Sequence, residues 1–232
     1  MTPASDGAAG ARAWLRVLDW NVRGLRDDVD ALVRTVREAA PHVVVLQEAP
    51  RVVRWRARAA SLARRCGLVV VRGGASGNLV LSSLAVAVRD AAVVRLPFTR
   101  FQHPRAAVVV RGSLAGAPFT VAGVHLGLTE PERVGHIPVL LRSLAGDEPV
   151  VLAGDVNETG DGPAWRALAA QFTDAGANDP TPTYSTRSPR RRIDGIFVSP
   201  GVPVRNYRVV TTPDVALASD HRPLVAEIGL TR

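Results

Sequence analysis

Apolar residues recur along this chain in two rhythms. Residues 14–20 (WLRVLDW) read as a strand that stops at Asn21. Within 27–40, Leu32, Val33 and Val36 recur at helical spacing behind Asp27, Asp28 and Asp30, and Pro41 closes the segment. Acids in a first turn suit the positive end of a helix, so a helix is expected there. Residues 43–46 are apolar without interruption, the signature of a strand covered on both faces. A helix is expected over 51–65, with Arg51, Arg54 and Arg58 sharing a face. Strand-like runs follow at 68–72, 78–81, 84–95, 105–112 and 118–124, broken by Gly, Ser and Pro, and they read as antiparallel.

The last third alternates helix and strand. A helix is expected over 131–144 with Pro138 inside it, a strand over 149–153, a turn over 154–157 and a helix over 163–171. Residues 173–192 read as loop, and strands are expected over 193–198, 204–210 and 224–228. No fixed-period repeat, low-complexity block or linker breaks the pattern. A loose tail over 1–13 and a single domain over 14–232 are expected.

Composition narrows the chemistry. The chain has 232 residues, 47% of them hydrophobic, enough for one large core. Its single cysteine, Cys66, excludes an internal disulfide and a Cys-rich zinc site, and suits a cytoplasmic, reducing compartment; an inert buried thiol is expected. No apolar run is long enough to span a membrane, and residues 1–13 do not resemble a signal peptide. All 29 basic residues are arginine and the net charge is +8. That excess fits an anionic partner such as nucleic acid; it equally fits the Arg, Ala, Gly, Pro and Val bias of GC-rich coding. With no lysine, a Walker-type phosphate loop is excluded.

The candidate chemistry sits where apolar runs stop. Asn21, Glu48, His125, Asp155, Asn157 and His221 each lie at or beside such an end, where ligands gather in α/β folds. His221 beside Asp220, with Asp194 opening a strand, suggests an imidazole oriented by a carboxylate. His42, His103 and His136 lie outside any such pattern and read as surface or structural, and Trp20 and Trp165 as core. Arg190, Arg191 and Arg192 could track a phosphate backbone or simply form a solvated run.

Seven segments in order carry a family resemblance: Trp20-Asn21-Val22-Arg23-Gly24, Leu46-Gln47-Glu48, Gly77-Asn78 to Ser82, Val124-His125-Leu126, Gly154-Asp155-Val156-Asn157, Arg192-Ile193-Asp194 and Ser219-Asp220-His221. The chain resembles the endonuclease/exonuclease/phosphatase superfamily, which includes deoxyribonuclease I and exonuclease III-like enzymes, inositol polyphosphate phosphatases and neutral sphingomyelinases. The resemblance implies a four-layer α/β sandwich of two mixed, mainly antiparallel sheets, and a hydrolase using Mg²⁺ or Mn²⁺. It implies Glu48, Asn21 and Asp220 at the metal; Asp155, or else His221 backed by Asp194, as the group that activates water; and His125, Asn157 and Arg105 at the phosphate. Three positions depart from the pattern: Arg23 stands where many repair nucleases have an acid, Gly195 replaces an aromatic and Ser83 an arginine. A nuclease acting as a monomer is expected. The alternatives are a phosphatase or phosphodiesterase on a small or lipid-linked phosphate, and a degenerate binding protein.

Overall fold

The computed structural model describes residues 13–51 and 53–231. The expected tail falls almost wholly outside the described residues; Ala13, its last residue, already belongs to a strand. The strands are β1 (Ala13–Asn21), β2 (Val43–Gln47), β3 (Val69–Ala75), β4 (Asn78–Ser82), β5 (Val86–Arg95), β6 (Ala106–Leu114), β7 (Ala117–His125), β8 (Val150–Asp155), β9 (Thr173–Asp174), β10 (Asp194–Val198), β11 (Val204–Val209) and β12 (Leu224–Leu230). The helices are α1 (Val29–Ala39), α2 (Trp55–Cys66), α3 (Glu130–Ser143), α4 (Pro163–Ala169) and α5 (Pro213–Ala218).

The strands form two six-stranded sheets, ordered β11-β12-β1-β2-β4-β3 and β5-β6-β7-β8-β10-β9. Each contains one parallel pair, β1 with β2 and β7 with β8, among antiparallel neighbours. Three cores make four layers of this. Leu15, Val17, Val43, Val45, Val121, Val151 and Ile196 fill the space between the sheets. Leu18, Trp20, Val44 and Leu46 face α1, α2 and α5 outside the first sheet. Val124, Leu152 and Phe197 face α3 and α4 outside the second. Within β2, Val43 and Val45 point inward while Val44 and Leu46 point outward, which is why residues 43–46 are apolar without a break before Gln47.

The expected boundaries shift at α2. Arg54 has φ +59, a left-handed conformation, and the helix begins only at Trp55. Arg51 and Arg54 therefore lie before the helix, and the shared helical face with Arg58 does not exist. The segment 173–192, expected as loop, contributes β9 and an isolated bridge from Tyr184 to both Arg191 and His221. α5 adds to the expected elements, although Thr212-Pro213-Asp214 is a helix-opening sequence. It is tied to α1 by Arg34 donating to Asp214 at 2.8 Å. No helix among the described residues is long and apolar enough to cross a membrane.

Candidate active site

Side-chain parity builds the site. Along β1, Leu15 and Val17 face the other sheet, so the period of two carries Asp19 and Asn21 inward as well. The same count takes His125 inward at the end of β7, Asp155 at the end of β8 and Asp194 at the start of β10. Parallel pairing puts the ends of β1 and β2, and of β7 and β8, on one rim. β10 runs antiparallel to β8 with Asp194 opposite Asp155, so its start reaches that rim too. β12 is antiparallel to β1, which places His221, just before it, beside Asn21. The polar cluster is thus the top of the inter-sheet core, where apolar layers give way to carboxylates and imidazoles.

Asp155 is its hub. Its Oδ2 accepts from Asn21 Nδ2 at 3.0 Å and lies 3.4 Å from His125 Nε2 and 3.8 Å from His221 Nε2. Its Oδ1 accepts from the Asn157 backbone N–H at 2.9 Å. Gly154 makes this approach possible: a Cβ there would lie 2.0 Å from the Val124 carbonyl oxygen. The Asn157 side chain donates to the Leu126 carbonyl at 3.1 Å.

His221 is set by its neighbours. Nδ1 lies 3.0 and 3.1 Å from the two Asp194 oxygens, and since a carboxylate only accepts, Nδ1 carries hydrogen. Burial opposes a charged imidazole, but the Asp194 carboxylate, with Asp155 and Asp220 behind it, outweighs burial and raises His221 to about 9. The ring is stacked at a tilt on Tyr184, with centroids 4.8 Å apart. Ser219 accepts from the His221 N–H at 3.2 Å and donates to the Asn21 carbonyl at 2.6 Å. Thr183 Oγ1 accepts from the Ile193 and Asp194 N–H groups, so the long segment before β10 orients the orienter. His125 is the opposite case: burial dominates, Asp155 only partly offsets it, and the imidazole falls to about 4. At neutral pH His221 is charged and His125 neutral.

Beneath the cluster, Gln47 donates to Asp19 at 2.7 Å. Burial, helped by the Asp194 charge, holds the Asp19 carboxyl well above its usual range.

Glu48 is exposed beside a buried strand and has φ +52, strained for a residue with a Cβ. Its carbonyl accepts from Gly24 N–H at 2.8 Å, which holds the turn. Asn21 Nδ2 donates to Glu48 Oε1 at 3.2 Å, while Asn21 Oδ1 accepts from the Arg23 N–H at 3.1 Å. A backbone N–H can only donate, which fixes the amide: nitrogen, not oxygen, faces Glu48 and Asp155. Asp220 lies 3.5 Å from Arg23 Nε. Arg23, noted in the sequence as a departure from the repair-nuclease pattern, thus engages the third candidate metal ligand.

For a divalent ion, Glu48 offers an oxygen open to the cleft, the hard donor that Mg²⁺ or Mn²⁺ prefers. Buried Asp155, Asp194 and His221 also bring one ligand-type atom each to within 4.8 Å of one another, a composition that could hold a cation. Within that trio, both Asp194 oxygens are already engaged by His221 Nδ1.

Glu48, His125, Asp155, Asn157, Asp220 and His221 line one cleft of about 970 Å³, so Glu48 and His221 face the same cavity. Arg105 lines it too, together with Arg26, Arg51, Arg58 and Arg191. Asn21 and Asp194 support it from below. Among the lining groups that carry no motif in the sequence are Tyr184, Arg26 and His103, the last read there as surface or structural. Of the other histidines, His136 is buried against the Pro97 carbonyl and His42 accepts from the Arg16 N–H. The arginine run divides. Arg192 pairs with Asp174 at 2.9 Å and stacks over Trp165, while Arg191 opens onto the cleft. Trp20 and Trp165 are core, as expected, and Cys66 is buried with its thiol raised to about 11.

Solved structures of known proteins share this architecture. The mannosyl-6-phosphatase of Bacteroides thetaiotaomicron superposes with a TM-score of 0.80 at 17% identity, over 92% of this chain and 99% of that one. The human Nocturnin catalytic domain with bound sulfate gives 0.79 at 19%, over 96% of each chain. A humanised TDP2 of D. rerio gives 0.76 at 20%, over 93% of this chain and 99% of that one. At such identities the likeness speaks for the fold. No curated protein matches the sequence. The model of the Endonuclease/Exonuclease/phosphatase family matches residues 20–221, a stretch that runs from the first motif to the last and holds every side chain of the cleft floor; the chain belongs to that family of metal-dependent phosphoester hydrolases.

Proposed function

We propose that the protein hydrolyses phosphodiesters of nucleic acid by attack of water on phosphorus. One observation carries this reading: a floor of carboxylates and imidazoles is rimmed by five arginines, Arg26, Arg51, Arg58, Arg105 and Arg191, in a single open cleft. A single small phosphate needs one or two such cations; five of them suit a backbone that continues past the reacting phosphate.

Glu48 would hold Mg²⁺ or Mn²⁺, with Asp220 able to join it on leaving Arg23; an ion held there would supply Lewis-acid polarisation of a phosphoryl oxygen and offset developing charge. Asn21 keeps the Glu48 and Asp155 carboxylates in register through its shared amide. Asp155 orients and deprotonates the water, because it is the carboxylate at the centre of the floor. With Nδ1–H held by Asp194 and the imidazole raised to about 9, His221 also carries hydrogen on Nε2 and donates from there to a phosphoryl oxygen. His125 and Arg105 complete the phosphate contacts, and Asn157 braces the loop after Asp155.

A substrate panel tests the reading: supercoiled plasmid, an abasic duplex, bis-p-nitrophenyl phosphate and inositol phosphates, each with Mg²⁺ and with Mn²⁺. Plasmid nicking that is lost in Glu48→Ala and His221→Ala is the expected result. Turnover of the small phosphates alone would overturn it.

A further inference from the structure

The loop between β5 and β6, residues 96–105, forms one wall of the cleft through His103 and Arg105. Its tip does something else. Phe101 is 87% exposed, the most exposed large apolar side chain among the described residues, and Phe98 is 62% exposed. Gln102 N–H donates to the Thr99 carbonyl at 3.0 Å, closing a turn that presents Arg100 and Phe101 at its apex. Phe101 has φ +68, a conformation that bulky residues rarely adopt. The Arg100 guanidinium lies 4.8 Å from the centre of the Phe101 ring, covering one face of it. Two residues of chain reach at most about 7 Å, so the Phe101 backbone lies within that distance of His103, while the Phe101 side chain stands outside the residues that line the cleft.

We propose that Phe101 is a stacking platform for the base of a nucleotide next to the scissile phosphate, with Arg100 backing the ring. The inference rests on the nucleic-acid reading above and adds to it a base-binding position. Two properties favour a nucleotide over a bilayer. A ring backed by a guanidinium carries charge that resists burial in hydrocarbon, whereas a base stacks on the remaining face without displacing it. Arg105, four residues on in the same loop, lines the cleft and offers a cation to the phosphate of a strand whose base stacks on the ring.

The test is equilibrium binding with a chelator present, so that no cleavage occurs. The ligands are short oligonucleotides that carry either a base or an abasic sugar at the position flanking the target phosphate, with 2-aminopurine as the reporting base. Wild type is expected to bind the base-bearing strand about 10-fold more tightly, the scale of one stacked base. In Phe101→Ala that ratio falls towards 1, and Phe101→Trp restores it; a merely structural role would weaken both ligands together and leave the ratio unchanged. Leu84→Ala, an exposed apolar residue remote in sequence from the loop, keeps the wild-type ratio. An unchanged ratio in Phe101→Ala overturns the inference while leaving the nuclease reading intact. Wild type that binds neither oligonucleotide overturns both. Phe101-dependent binding to phosphatidylglycerol vesicles without a base preference assigns the loop to a membrane surface and overturns the platform.

Discussion

Replacing Asp194 by Asn keeps the shape of the pair with His221 and removes its charge. In the folded protein the His221 imidazole lies at about 9, against 6.5 for a free histidine. Burial pulls the other way, so without the Asp194 carboxylate the folded value drops, held up only by the charges of Asp155 and Asp220. The gap from 6.5 to about 9, at about 1.4 kcal/mol per pH unit, comes to roughly 3 kcal/mol. His221 is 5% exposed, so solvent screens little of this. A base raised in the folded state stabilises fully below pH 6.5 and loses that stabilisation as pH rises through about 9. Wild type should therefore exceed Asp194→Asn in urea stability at pH 6, and the gap should shrink by up to roughly 3 kcal/mol at pH 9.5, Asp155 and Asp220 keeping part of the shift in the variant. Both measurements use chelated protein, and a ¹H–¹³C titration of the histidine rings reports His221 directly. A His221 pKa within half a unit of wild type in Asp194→Asn, or a stability gap independent of pH, would refute the coupling.

Other predictions follow from neighbouring groups. His125, His42 and His136 are all lowered, chiefly by burial, so each contributes stability that is present above about pH 6.5 and lost as pH falls. Urea midpoints should decline from pH 7 to pH 5, and His125→Gln should flatten that decline. Asp155→Asn should lower kcat by at least about 100-fold, since it removes a positioned proton acceptor; a rate near wild type would mean that another group takes the proton from water. Asn78, buried on β4, donates to the Ala106 carbonyl at 2.6 Å across to the second sheet, next to Arg105. Asn78→Ala should cost about 1–3 kcal/mol in chemical denaturation, and an unaltered midpoint would show the clamp to be slack. Chelation should abolish hydrolysis and added Mg²⁺ or Mn²⁺ restore it, a cycle that Glu48→Ala should fail to complete.

Much of the architecture was written in the side-chain periods. The unbroken apolar run over 43–46 announced a strand with two covered faces, and the period along β1 carried Asn21 to the same side as Leu15 and Val17. What misled was the arginine-rich stretch before α2. Helix propensity there is real, but Arg54 turns into a left-handed conformation before Trp55 begins the helix, and no local pattern marks that turn. His103 has no motif around it; it joins the cleft through a loop whose course depends on two strands of the second sheet. Tyr184 lies in a proline-interrupted segment and meets His221 only through a bridge between distant parts of the chain.

By itself the sequence determined the strand ends, the residue types placed at them and their order, because periodicity and turn chemistry are local properties. Tertiary structure alone decided which of those ends share a rim, since the parallel pairing of β1 with β2 and of β7 with β8 is a long-range choice. It also decided the charge each imidazole carries. His125 and His221 are both buried and both lie near Asp155, yet only His221 has Asp194 against its second nitrogen. Protonation follows from what folding brings within a few ångströms, and no spacing along the chain records that distance.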